Sequence, residues 1–154
     1  MLLLLFLLLT TPLPAQQLEA GFYLTQEKTR DCERTVRLSS RKKDFVCLTP
    51  KPIIAPNQFI GISDIVVDNN AGISYADLTI TEDAVRVLKA LSSSFRGSAM
   101  VLILNNRLAG ILNYNESPFI RESQIRISVR HWEGDMTQVH SELRAIVAEN
   151  SSRQ

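Results

Sequence analysis

An α+β fold, a mostly antiparallel sheet with two helices packed on one face, is predicted by three observations. The stretch Ile80 to Asn113 (ITEDAVRVLKALSSSFRGSAMVLILNNRLAGILN) reads as helix, strand, tight turn and strand. Apolar residues recur at helical spacing after Asp135, and the remaining apolar residues fall in short runs of strand length. Within the first stretch, Thr81 caps a helix whose opening Glu82 and Asp83 sit at the positive end of its dipole. Ala84, Val87 or Leu88, Leu91 and Phe95 form one face, and Gly97 is a stop signal. Ala99 to Leu104 is a strand too apolar to be exposed on both faces. Asn105 and Asn106 suit the positive φ of a two-residue hairpin turn, and Leu108 to Leu112 returns. Helix and hairpin are expected to form one hydrophobic layer.

The chain of 154 residues, 45% apolar and 21% charged, suits one domain with a sizeable core. A net charge of +1 lacks the basic excess of a general nucleic-acid binder, so no nucleic-acid partner is expected. Residues 1–15 read as a signal peptide: Leu2 to Leu9 is apolar but shorter than the roughly 20 residues of a membrane span, and Ala15 offers a small residue for cleavage. The expected product is periplasmic or secreted, with no integral membrane segment after removal of the signal. Cys32 and Cys47 form an even count, which in an exported chain reads as a disulfide. A bridge closing a loop of about 16 residues stabilises by roughly 3 kcal/mol in the chain-entropy picture. A redox pair lacks the C-x-x-C spacing that lowers a thiol pKa, and free thiols are the remaining alternative.

In chain order, Ala20 to Thr25 begins a strand, and Val36 and Phe45 to Leu48 lie on the arms of a hairpin with Arg41, Lys42 and Lys43 at its solvated tip. Thr49 to Gln58, with three prolines, is a connector or edge segment. Ile62 to Val67 and Ser74 to Ile80 form a second hairpin around the turn-forming DNNAG, with alternation at Ile73, Tyr75 and Leu78. Ser123 to Val129 is a strand with one wet face. Asp135 caps a last helix with Met136, Val139, Leu143, Ile146 and Val147 on one side. A single domain over residues 20–148 and a flexible polar tail over 149–154 complete the expected organisation.

These segments in this order resemble the first periplasmic head domain of the SecD or fused SecDF protein-export accessory family, standing alone without its membrane helices. The resemblance is carried by Phe22 to Leu24, by KPIIAPNQFIGISDIVV from Lys51, by LTITEDAVRVLKAL from Leu78 and by AMVLILNNRLAG from Ala99. Ser123 to Ser128 and Met136 to Val147 are similar to the final strand and closing helix. The resemblance implies a non-enzymatic domain that touches polypeptides or partner proteins outside the cytoplasm.

No sequence pattern assigns catalytic, cofactor-binding or metal-binding residues. His131 and His140 belong to neither an H-E-x-x-H motif nor a Cys/His ligand cluster, G-x-S-x-G is absent, and there is no glycine-rich phosphate loop. Glu82 and Asp83 are explained by helix capping. The sequons at Asn115 and Asn150 are weak. The expected function is therefore an exported protein- or peptide-interaction domain linked to protein export or envelope assembly, binding through an exposed sheet edge or an apolar surface of Phe119, Ile120 and Trp132. The alternatives are a small secreted enzyme with His131 beside Asp135 or Glu133, and a permanent structural subunit of an envelope complex.

Overall fold

The computed structural model describes residues 17–26, 32, 34–37, 45–94, 99–113, 120–121, 123–130 and 135–153. Among these, the strands form two five-stranded antiparallel sheets rather than the one expected. The first contains β1 (Gly21–Gln26), β2 (Thr35–Arg37), β3 (Phe45–Leu48), β7 (Ala99–Leu104) and β8 (Arg107–Asn113), in the order β2-β3-β1-β7-β8. The second runs β4 (Phe59–Ile62), β6 (Ile73–Ile80), β10 (Gln124–Arg130), β9 (Ile120–Arg121), with β5 (Val66–Asp68) pairing β6 beyond β4. Two helices, α1 (Glu82–Ser94) and α2 (Met136–Ser152), complete the α+β fold.

The two-sheet outcome follows from side chains on both faces of the central strands. In β7, Met100, Leu102 and Leu104 point into the main core, whereas Val101 and Ile103 enter a second core with Tyr23, Val36 and Leu48. A strand apolar on both faces needs cover on both. Sheet 1 supplies it by curling, so that its edge strands β2 and β8 come into contact. The main core collects Phe22 and Leu24 from β1, Leu78 and Ile80 from β6, and Ile125 and Ile127 from β10. Phe22 and Phe59 meet edge to face, ring centroids 5.6 Å apart. Ala84 and Leu88 of α1 and Met136, Val139 and Leu143 of α2 enter the same core. Leu88 is buried and Val87 exposed, which resolves the phase of α1. The helix and hairpin of 80–113 thus share a core, but α1 follows a strand of sheet 2 and the hairpin belongs to sheet 1.

Several local expectations hold. The Thr81 hydroxyl accepts the Ala84 amide at 3.3 Å, and the Asp135 carboxylate accepts the Thr137 amide at 2.8 Å. Asn105 and Asn106 adopt φ of 47° and 60° between β7 and β8. The proline-rich segment crosses β1, where Ile54 bridges Phe22. A Cβ on Gly21, whose φ is +140°, would stand 2.6 Å from the Ile54 carbonyl oxygen, so this crossing requires glycine.

Both ends of the expected domain move outward. Leu18 is buried in the second core and its amide donates to Asn106 Oδ1 at 2.9 Å. Residues 149–152, expected in the flexible tail, belong to α2. They are held because Asn150 Nδ2 donates to the carbonyls of Pro56 and Phe59, each at 2.8 Å. Residues 1–16, which include the expected signal peptide, lie outside the described residues.

Candidate interaction surface on the second sheet

Leu78 and Ile80 set the phase of β6: the buried face is Ser74, Ala76, Leu78 and Ile80. Ile73 and Tyr75 therefore stand with Asp77 and Thr79 on the opposite, partly exposed face, so the expected alternation at Ile73, Tyr75 and Leu78 divides between the two faces. Cross-strand register places Ser128 opposite Tyr75 and Arg126 opposite Asp77, with Val66 of β5 on the other side of Tyr75. Arg126 donates through Nε and an Nη to the two Asp77 oxygens at 2.9 and 3.0 Å, and its guanidinium lies 4.2 Å from the Tyr75 ring centroid. The Asp77 hydrogen bond pushes the guanidinium pKa up, against the effect of burial. A fork-shaped cation held by a carboxylate and a ring is fixed in place without being removed from solvent.

The edge beside this face is built from β4 and β5, both paired to β6. Register shifts between Phe59 and Gly61, and Ser63 to Ile65 interrupt the strand. Ser63 repairs the interruption: its amide donates to the Asp77 carbonyl at 3.0 Å, and its hydroxyl accepts the Asp77 amide at 2.9 Å. His140 of α2 bonds the Ser63 carbonyl through Nε2 at 2.9 Å, so the helix steadies the break from the inner side. Beyond it, β5 pairs only with β6 among the described strands. Val66 is 44% and Val67 55% exposed, and Ile60 of β4 is also exposed. Asp64 and Asp68 bracket the two valines. Asp68 Oδ1 accepts the amides of Asn70 and Ala71, which closes the turn into β6.

Ile120 opens β9 and pairs with Ile125, at the opposite edge of sheet 2 from β5. Phe119, Trp132 and His131 lie outside the described residues, as do Glu133 and the basic tip at 41–43. Asp135, considered beside His131, has its carboxylate on the Thr137 amide as a helix cap. Glu82 and Asp83 open α1 as expected, and Asp83 pairs with Arg86. Cys32 and Cys47 form a disulfide that fastens the segment before β2 to β3, with Cα atoms 5.7 Å apart. Among the described residues there is no group of three or more His, Cys, Asp or Glu placed to hold a metal ion, and no helix long and apolar enough to cross a membrane.

Glu142 pairs with Arg107 of β8 and accepts from Gln138, tying α2 to the start of that strand. The Arg107–Glu142 pair, like the contacts that Arg126 makes in its cluster with Tyr75 and Asp77, joins residues far apart in the chain. The cluster's one sequence signal was the alternation of polar and apolar residues in β6 and β10, which needed the right phase. Compared with protein-family profiles, curated proteins and solved structures, the chain gave no match.

Proposed function

We propose that this chain is a non-enzymatic polypeptide-interaction domain of an extracytoplasmic compartment, serving protein export or envelope assembly as its resemblance to the SecD head implies. The observation that carries the reading is β5: a strand paired on one side among the described strands, with Val66 and Val67 turned to solvent. An edge strand offers unpaired amides and carbonyls to an extended chain, and apolar side chains beside them reward its docking. Tyr75 and Arg126 extend this surface across the sheet face, two residue types that contribute strongly to protein contacts. The disulfide favours an oxidising compartment.

Site-specific photocrosslinking tests the reading. A photoreactive residue at position 67 should capture a reduced, alkylated, unfolded polypeptide, whereas the same residue at Val87, exposed on α1, should capture little. Equal capture at both positions, or none at 67, contradicts it.

A further inference from the structure

We infer that the β5 edge selects an extended segment with basic residues on either side of an apolar pair, and that a second copy of this chain is not its occupant. The inference rests on the reading of β5 as a polypeptide-binding edge. Asp64 lies two residues before Val66 and Asp68 two residues after, and neither carboxylate has an ion-pair partner among the described residues. The nearby Asp77 is neutralised by Arg126 and adds little to the local field. The edge therefore presents negative, apolar, apolar and negative positions in a span of five residues.

A strand laid antiparallel on β5 would meet Asp68, Val67 and Val66 in register and then run past Asp64, which lies in the break just before the strand. Opposite charges facing across strands attract, so a basic residue is favoured opposite Asp68, and a second one where the bound segment passes the carboxylate of Asp64. The same arithmetic disfavours self-association. Pairing two copies along this edge in any register brings two aspartates of each copy close together, four carboxylates of one sign. The break at Ser63 to Ile65 further limits regular pairing with a long, flat edge.

Fluorescence anisotropy on the purified protein tests this with labelled peptides that share a valine–valine–threonine centre and carry either two lysines or two glutamates at the flanks. At low ionic strength the lysine-flanked peptide should bind about tenfold more tightly, and the difference should shrink with salt. The double variant Asp64→Asn with Asp68→Asn should bring the two affinities within about twofold. Asparagine keeps the side-chain oxygen that the Asn70 and Ala71 amides need, so the turn is preserved. Val67→Ser, at an exposed position, should weaken both peptides roughly fivefold. Equal binding of both peptides, lost in Val67→Ser, overturns the charge preference and leaves the edge reading standing. Binding of neither peptide overturns both. A concentration-dependent dimer in sedimentation that Val67→Ser abolishes makes a second copy the occupant and contradicts the inference.

Discussion

Asn150 and Tyr23 show how much of this fold depends on single side chains. Asn150 uses both amide hydrogens, on Pro56 and Phe59, to pin the last turn of α2 to the start of β4. Asn150→Ala should lower stability by about 1–3 kcal/mol, read as a lower denaturant midpoint at unchanged slope, because it removes two hydrogen bonds, although the Pro56 carbonyl still accepts the Phe59 amide. A glycan on Nδ2 would remove one of these donors, so the Asn150 sequon belongs to the packing of the fold. None of this was legible beforehand, since the partners lie more than ninety residues away in sequence. Tyr23 is fully buried in the second core and donates its hydroxyl to the Glu19 carbonyl at 2.9 Å. Burial pushes its phenol pKa up, with Arg34 opposing. A proton held more firmly in the folded chain than in the unfolded one contributes stability that is complete below the unfolded value of 10.0 and is lost as pH rises through the higher folded value. Stability should therefore hold from about pH 7 to 9 and fall above about 10. Denaturation of Tyr23→Phe across the same range should show a smaller alkaline loss.

At the scale of elements, locally encoded features were the legible ones. The Thr81 and Asp135 caps, the β7–β8 turn and the two helix faces depend on residues within one or two turns of each other. The turn separates two roles. Asn105→Gly should be neutral or slightly stabilising, since glycine accepts positive φ without steric cost. Asn106→Gly keeps the backbone geometry but removes the acceptor of the Leu18 amide, and should cost about 1 kcal/mol in thermal or chemical unfolding. Alternation alone does not give the phase of β6, because Ile73 and Tyr75 are as apolar as a core strand needs; Leu78 and Ile80, closer to the helix, decide which face is buried. That phase puts Tyr75 on the candidate surface.

Over the whole molecule, the fold class was legible and the number of sheets was not. The run AMVLIL announced a strand covered on both faces, but the side chains that share its two cores come from β2 and β3 on one side and from β6, β10 and the two helices on the other, an arrangement that no local pattern specifies. The disulfide joins this long-range organisation by fastening β3 to the approach to β2. Replacing Cys32 and Cys47 by serine should lower stability by roughly 3 kcal/mol, measured by equilibrium denaturation against the oxidised parent. Of the candidate site, the sequence pointed to an exposed sheet edge as a mode of binding, while its expected apolar surface at Phe119, Ile120 and Trp132 selected a different part of the chain. The β5 edge emerges only once β6 is seen to pair with β4 and β5 on one side and β10 on the other. Amide hydrogen exchange with saturating lysine-flanked peptide tests the central claim most directly. Slower exchange concentrated at Val66 to Asp68, with α1 and the β7–β8 turn unchanged, is the predicted result; bound peptide without protection in β5, or with protection centred elsewhere, would contradict the account.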